Sequence, residues 1–219
     1  MKKLICVVLC FMCFASQAAF ASSEELTESR KSELRTYGIM VGDPDGNLRE
    51  NDTVTRAEAV KMLLASAGID GISEITDSDT FPDVSADHWA YKYVCAAKKE
   101  KIVIGDENGN FNPENKVTNE EFVKMLVCIL GYEPMAEARG GYPAGYNVAA
   151  SLYGVTKGLI LDINADMIRR DAANAICNSL DLPLMMQTGF GDPAEYTIMD
   201  GKNGIEKITL RIRLDEKNR

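Results

Sequence analysis

The chain has 219 residues, of which 46% are hydrophobic and 26% are charged, with 24 lysines and arginines against 33 acidic residues. This composition is ordinary for a globular protein and excludes a wholly disordered or collagen-like chain. The net charge of −9 argues against a nucleic-acid-binding protein and against a protein that lies on an anionic membrane, because both need a basic surface.

The first 21 residues are typical of a secretory signal peptide. Two lysines precede an apolar run from Leu4 to Phe14, and Ala19-Phe20-Ala21 forms a small-residue cleavage site. Cleavage there removes two lysines and no acids, which moves the net charge from −9 to −11. No later stretch approaches the roughly 18 continuous apolar residues that indicate a membrane span. We therefore expect a secreted protein without a transmembrane segment.

Three of the six cysteines lie in this signal segment, and Cys95, Cys128 and Cys177 remain. They are odd in number, lack CxxC spacing and occur among apolar residues of predicted helices. This pattern favours three small buried thiols over a disulfide framework.

Two segments of the chain match each other without gaps at an offset of 63 residues. Ile39–Asp43 aligns with Ile102–Asp106, and Val54–Glu58 aligns with Val117–Glu121. A third, weaker copy aligns with the second at an offset of 57 and then of 50 residues, which places Arg169 on Asn119. The sequence therefore predicts three related modules, with a shortened loop in the third.

Each copy is predicted to form a helix, a glycine-bearing loop and a second helix. Asp87 is a plausible N-cap for the first helix of the second copy. The second helix begins with a capping box at Thr55–Glu58 and Thr118–Glu121, and Gly68 and Gly131 are natural helix stops. Because one such helix pair cannot bury its apolar stripe alone, we expect the copies to share a helical core.

These motifs resemble the S-layer homology (SLH) module. The matching strings, in the order of that family, are Phe81-Pro82-Asp83-Val84, His88-Trp89-Ala90, Ile104-Gly105, Gly109-Asn110-Phe111-Asn112-Pro113 and Val117-Thr118. Val54-Thr55-Arg56-Ala57-Glu58 resembles the TRAE signature of the family. The resemblance covers about residues 26–184.

The resemblance implies a mainly α fold, in which three tandem helix-loop-helix modules pack as a pseudo-threefold spindle. The expected units are a signal peptide at 1–21, modules at 22–76, 77–134 and 135–186, and a tail at 187–219. In the tail, Tyr196–Met199 and Ile208–Leu214 alternate with period two, which predicts a β-hairpin. This hairpin either docks on the helical body or begins a larger β-rich domain.

The resemblance also implies a function. SLH modules are non-catalytic and dock exported proteins onto the Gram-positive cell wall, at the cell surface or in the S-layer. Their inter-module grooves hold secondary cell-wall polysaccharide, a polymer that ends in a pyruvylated amino sugar. A planar cation at a helix N-terminus suits such a carboxylate, and Arg56 and Arg169 occupy that place.

Further candidates come from the loops and the aromatic positions. Gly42 and Gly105 would let backbone N–H groups approach a sugar closely, and Trp89 and Tyr146 could offer an aromatic face. The candidate glycan-binding residues are Arg56, Gly42, Asp43, Trp89, Gly105, Asp106 and Arg169.

The second and third copies depart from the family pattern. Asn119 replaces the arginine in copy two, and Ile168 replaces the capping threonine in copy three. Copy one lacks the tryptophan, and its first helix, about 24–37, is polar. We therefore expect at most one well-formed groove, built around Arg56 and the Trp89 region of the neighbouring module.

Two other functions compete with this one. A spindle that has lost glycan binding could hold a partner protein or act as a structural component of the envelope. A secreted hydrolase is disfavoured, because we find no nucleophile elbow, no HExxH and no second histidine, and Asp83 and Asp87 are better explained as helix caps. We expect no cofactor and no metal site, since His88 is the sole histidine and the calcium-like loop at 43–47 has Val54 in place of its last acid.

Overall fold

The computed structural model describes residues 23–71 and 74–219, so the predicted signal peptide at 1–21 lies outside the described residues. In the described part, the chain forms eight α-helices, a 3-10 turn and one two-stranded antiparallel sheet. The mainly helical class is confirmed. The elements are α1 (Glu28–Thr36), α2 (Arg56–Ser66), the 3-10 turn (Asp77–Asp79), α3 (Tyr91–Lys99), α4 (Asn119–Ile129), α5 (Glu133–Glu137), α6 (Ala144–Tyr153), α7 (Arg169–Ser179), β1 (Met185–Gly189), β2 (Glu195–Ile198) and α8 (Leu210–Lys217).

The two predicted capping boxes are present. The Thr55 hydroxyl accepts the backbone N–H of Glu58 at 3.2 Å, while the Glu58 carboxylate accepts the Thr55 N–H at 3.0 Å. The start of α4 is built in the same way. Helix α7 begins after Ile168 without a side-chain cap, as its sequence predicts. Gly68 and Gly131 follow α2 and α4 in left-handed backbone, which confirms them as helix stops.

The predicted helix-capping roles of two aspartates are wrong. Helix α3 begins at Tyr91, several residues after Asp87, and has no side-chain cap. Asp83 instead accepts the backbone N–H groups of Phe111 and Asn112 at 2.8 and 2.6 Å. Its carboxylate therefore fastens the loop that precedes α4 to the loop that precedes α3.

Three buried residues are joined in a closed ring of backbone hydrogen bonds. Each of them lies shortly before the start of one of the helices α2, α4 and α7. Val54 N–H donates to Met167 at 2.9 Å, Met167 N–H donates to Val117 at 2.9 Å, and Val117 N–H donates to Val54 at 3.0 Å. All three are fully buried. Because a buried amide without a partner is costly, this ring holds the starts of α2, α4 and α7 together.

The apolar faces of the helices meet in one core. Helix α2 packs against α3, α4 and α7, and α4 packs against α6. The largest fully buried side chains of this core include Tyr132, Tyr146, Phe111 and Phe122. The core continues from α1 to α8, so the segments do not form independent bodies.

The C-terminal hairpin exists, but its predicted second strand is wrong. Strand β2 pairs with β1, with Met185 opposite Ile198, rather than with residues 208–214. Those residues enter α8, which has Thr209 as its N-cap and buries Leu210 and Leu214. A leucine pair four residues apart lies on one helical face, so the apolar positions that appeared to alternate also fit a helix.

The tail docks on the helical body, as one of the two sequence expectations proposed. Arg211 of α8 is paired with Asp181 at 2.6 and 2.9 Å, and also with Glu33 of α1. The Tyr37 hydroxyl donates to Asp215 at 2.7 Å. Helix α8 therefore links the end of α7 to the first helix of the chain.

The three cysteines in the described part are free thiols; Cys95 is buried, and Cys128 and Cys177 are partly buried. Burial is the main cause that raises the pKa of Cys128 and of Cys177 to about 11. At a given pH, less thiolate is then present in the folded chain than in the unfolded chain.

We expect Cys128 and Cys177 to be alkylated at least about tenfold more slowly in the native chain than in the urea-unfolded chain at about pH 8, because the thiolate is the reactive form. Peptide mass mapping after timed exposure to iodoacetamide measures both rates. Equal rates in the two states would contradict the assignment of these thiols as partly buried structural groups.

Candidate functional site

Arg56, the first residue of α2, reaches across to the second repeat. Its Nε donates to the carbonyl oxygen of Phe111 at 2.9 Å, and its Nη1 pairs with Glu121 at 2.8 Å. The guanidinium carbon lies 5.1 Å from the centre of the Phe111 ring. Only 16% of the side chain is exposed. Within the described residues, Nη2 has no hydrogen-bond acceptor.

The guanidinium borders a groove of about 380 Å³, here called the Arg56 groove. One wall is the loop at 102–106, another is the face of α4, and Tyr142 closes the third side. The lining residues are Arg56, Ile102, Val103, Ile104, Gly105, Asp106, Asn110, Asn112, Asn115, Lys116, Glu121, Lys124, Met125 and Tyr142. Residues that lie far apart in the chain, from Arg56 to Tyr142, therefore contribute to one cleft.

The charge of the Arg56 groove is mixed, with an excess of cations. Three basic residues, Arg56, Lys116 and Lys124, face two acids, Asp106 and Glu121. Because Glu121 is already engaged by Arg56, the remaining basic groups give the groove a local preference for an anion despite the acidic chain.

The loop beside this groove is built by Asp106. Its carboxylate accepts the backbone N–H groups of Asn108 and Asn110, each at 2.9 Å, and the Asn112 side-chain amide at 2.9 Å. These hydrogen bonds lower the pKa of Asp106, because they favour the charged carboxylate. Asp106 is thus mainly a loop-forming residue that also lines the groove.

The structure gives the two loop glycines a steric reason of their own. A Cβ at Gly105 would lie 2.8 Å from the backbone carbon of Gly109, and a Cβ at Gly42 would lie 2.9 Å from the Asn47 carbonyl oxygen. Both glycines are therefore required by closure of their own loops. Asp43 shapes the first loop as Asp106 shapes the second, by accepting the N–H of Asn47 at 2.9 Å.

Arg169 makes the corresponding contacts from α7 back to the first repeat. Its Nε donates to the Leu48 carbonyl at 2.7 Å, and its Nη1 lies 3.3 Å from Glu58. Only 9% of the side chain is exposed. Burial lowers the pKa of Arg169, while the Glu58 carboxylate opposes this shift. Arg169 is therefore committed to internal contacts more fully than Arg56.

The two predicted aromatic residues do not line the Arg56 groove. Trp89 is half exposed but does not line the Arg56 groove; its ring lies 5.7 Å from that of His88, which in turn contacts Glu114 at 3.2 Å. Tyr146 is buried, and its hydroxyl donates to Glu137 at 2.9 Å. Neither ring presents a face to this groove.

Tyr142 is the aromatic residue that sequence reasoning missed. It is half exposed, it lines the groove, and burial of its hydroxyl end raises its pKa. The sequence contains little indication of this role, because Tyr142 follows two glycines in a segment that matches none of the family motifs. Lys116 and Lys124 were missed because neither belongs to a string that resembles the family motifs, although Lys124 aligns with Lys61 in the repeat.

Asn119, which replaces the arginine in the second repeat, contacts the third repeat. Its side-chain amide donates to the Asp162 carbonyl at 2.9 Å. It borders a second groove of about 220 Å³ between α4, α6 and the segment at 156–163. None of the residues that line this groove is a lysine or an arginine, so it cannot hold a carboxylate in the way proposed for Arg56.

The described residues contain no group of three or more histidine, cysteine, aspartate or glutamate side chains placed to hold a metal ion. In the same part of the chain, no helix is long and apolar enough to cross a membrane.

Comparison with known proteins supplies the family. The S-layer homology domain matches residues 32–60 and 80–123. The matched residues, which include Arg56 and most of the groove around it, therefore carry the sequence of an SLH domain. The matched segments include the capped starts of α2 and α4.

Three curated relatives match about nine-tenths of the chain. The Middle cell wall protein of Brevibacillus brevis is 30% identical over 90% of this chain and 20% of its own length. The Surface layer protein of Brevibacillus choshinensis is 28% identical, over 91% of this chain and 19% of its own length. The Cell surface protein of Thermoanaerobacter kivui is 26% identical over 91% of this chain and 29% of its own length.

The chain thus spans between a fifth and three tenths of the length of these relatives. The matches support the predicted location at the cell wall or S-layer surface. They also support a role at the cell surface for the region that the chain shares with them.

Proposed function

We propose that the chain is a non-catalytic cell-envelope anchoring module that binds an acidic secondary cell-wall polysaccharide in the Arg56 groove. The ligand class is the one that the family resemblance implies, a polymer carrying a pyruvylated amino sugar. The observation that carries the proposal is the position of Arg56, which borders a cleft together with the Gly105–Asp106 loop of the next repeat.

We further propose that residues 22–76, 77–134 and 135–186 are three SLH-like modules related by a pseudo-threefold axis. The ring of Val54, Met167 and Val117 supports this arrangement, because each donates to a different member of the set. The first residues of α2, α4 and α7 make contacts that follow the same cyclic arrangement. Arg56 contacts the second repeat, Asn119 contacts the third, and Arg169 contacts the first.

The Arg56 groove has the parts that an acidic sugar requires. Nη2 of Arg56 is available for a charge-assisted hydrogen bond to a carboxylate, which is about twice as strong as a neutral one. The exposed side chains of Ile104 and Tyr142 provide apolar surface for the C–H face of a sugar ring. The amides of Asn110 and Asn112 can exchange hydrogen bonds with hydroxyl groups.

Retention of the purified chain on cell-wall sacculi tests this proposal. We expect retention on native sacculi, loss after the secondary polymer is stripped, and loss of about tenfold or more in affinity for Arg56→Ala, because a charged hydrogen bond contributes about 1.5–3 kcal/mol. Arg35→Ala is the matched control, since Arg35 lies on α1 and its guanidinium donates to the Gly46 carbonyl, outside the Arg56 groove.

Unfolding curves of Arg56→Ala separate lost binding from lost folding, because Arg56 also contacts Phe111 and Glu121. Arg56→Lys gives a second comparison that keeps the charge but not the planar fork. Retention that survives stripping, or that is equal in Arg56→Ala and Arg35→Ala, would overturn the proposal.

The second candidate is a module that binds a partner protein or serves as a structural envelope component without binding glycan. It is favoured by the internal contacts that already occupy two nitrogens of Arg56 and two of Arg169, whose side chain is only 9% exposed. It predicts retention on stripped walls and indifference to Arg56→Ala, so the same assay distinguishes the two functions.

A further inference from the structure

The second groove, here called the Glu120 groove, differs from the Arg56 groove in the charge that it contains. It is lined by Asn119, Glu120, Val123, Asn147, Thr156, Leu159, Leu161 and Ile163. Glu120 is the only ionisable side chain among these lining residues. The lining of the Arg56 groove therefore has one more basic residue than acidic ones, whereas the lining of the Glu120 groove has a single acid.

Glu120 is buried, with 5% of its surface exposed, but only half of its carboxylate has a partner. Its Oε1 accepts the backbone N–H of Asn164 at 2.8 Å. Its Oε2 is buried and has no hydrogen-bond partner in the described part of the chain. A buried carboxylate oxygen without a donor is costly, so a ligand that places a donor against this atom is favoured.

The fold itself does not require an acid at this position. The equivalent residues of the other two repeats are Ala57 and Arg170, at offsets of 63 and 50 residues. Both of those helices form with the same length of 11 residues as α4. The helix dipole favours a negative charge in the first turn, but α4 already has Glu121 in its capping box.

We propose that the Glu120 groove binds a sugar unit that carries a free, protonated amine. The ammonium group supplies the missing donor to Oε2 in a charge-assisted hydrogen bond, which is the stronger kind. Asn147 and Thr156 can hydrogen-bond to ring hydroxyl groups, and the aliphatic side chains can pack against the sugar ring. A neutral N-acetylated sugar lacks the charge that this carboxylate favours.

This inference rests on the proposed function, because it assigns a second saccharide subsite to the same glycan-binding body. It deepens that function by giving the two grooves opposite charge preference. An acidic sugar would occupy the Arg56 groove, and a basic amino sugar would occupy the Glu120 groove. A polymer with both kinds of unit could then contact two sides of one molecule.

Titration of the full chain with glucosamine, followed by NMR of its amide groups, tests the inference. At about pH 6, where the amine of glucosamine is protonated, we expect saturable shifts in the side-chain amides of Asn119 and Asn147. We expect N-acetylglucosamine and glucose to bind at least about tenfold more weakly, because they cannot form the charged hydrogen bond.

Glu120→Gln removes the charge and keeps the shape, so it should weaken glucosamine binding by about tenfold or more. Glu114→Gln, at an exposed carboxylate beside His88, is the matched control. The selectivity among glucosamine, N-acetylglucosamine and glucose is measured on the unmodified chain. It therefore tests the inference even if Glu120→Gln fails to fold.

Equal binding of glucosamine and N-acetylglucosamine would overturn the inference, as would unchanged glucosamine binding in a folded Glu120→Gln chain. Absence of saturable shifts with glucosamine would overturn it too. Retention on native sacculi and its dependence on Arg56 are measured separately. A failure of that assay refutes the proposed anchoring function, whereas a failure of the titration refutes only the assignment of the Glu120 groove.

Discussion

Replacing Phe111 with alanine is expected to lower the free energy of unfolding by about 3–5 kcal/mol, the range for truncation of a buried phenylalanine. The Phe111 ring is fully buried and lies 5.4 Å from the ring of Phe81. The same residue supports the site, because its carbonyl accepts the Arg56 Nε and its ring lies beneath the guanidinium. Retention on native sacculi should therefore weaken as well.

Urea unfolding followed by circular dichroism measures this loss, with Trp89→Ala as the matched aromatic control. Trp89 is half exposed and lies outside the Arg56 groove, so its truncation should cost less than about 1 kcal/mol. It should also leave retention on sacculi unchanged. Similar losses for the two variants would contradict the placement of Phe111 in the core and of Trp89 at the surface.

The features that the sequence predicted correctly depend on local geometry. A threonine followed three residues later by glutamate creates its own capping hydrogen bonds, so the boxes at Thr55 and Thr118 could be identified without knowledge of the fold. A glycine after the last apolar position of a helix permits left-handed backbone, as at Gly68 and Gly131. The repeat offset then indicated which of these helices are equivalent.

The features that were missed depend on which segment packs beside which. The sequence predicted a groove built around Arg56 and the Trp89 region. Arg56 does line a cleft with residues 102–125, but the aromatic residue of that cleft is Tyr142. No spacing within one repeat encodes a contact between repeats. The tail was misread for another reason: Leu210 and Leu214 satisfy both a period of two and a spacing of four, and only burial against the core selects the helix.

Gly131 should be among the least tolerant positions of the chain. It follows α4 in left-handed backbone with φ of +78°, and a Cβ there would lie 2.0 Å from the Met185 carbonyl oxygen. Met185 N–H donates to the Leu130 carbonyl at 2.9 Å, so strand β1 is seated directly against the end of this helix. Gly131→Ala must therefore displace either the helix end or the strand.

Comparison with Gly154→Ala isolates this steric effect. Gly154 follows α6 with φ of +87°, but a Cβ there meets no atom within 4 Å. Gly154→Ala should thus cost about 1–2 kcal/mol for left-handed backbone alone, whereas Gly131→Ala should cost more than about 3 kcal/mol, because overpacking adds to the backbone strain.

Urea unfolding gives both values, and amide exchange should show earlier loss of protection in β1 of Gly131→Ala. If the two variants lose equal stability, the hairpin is not held against α4, and the tail would have to be treated as a loosely attached segment.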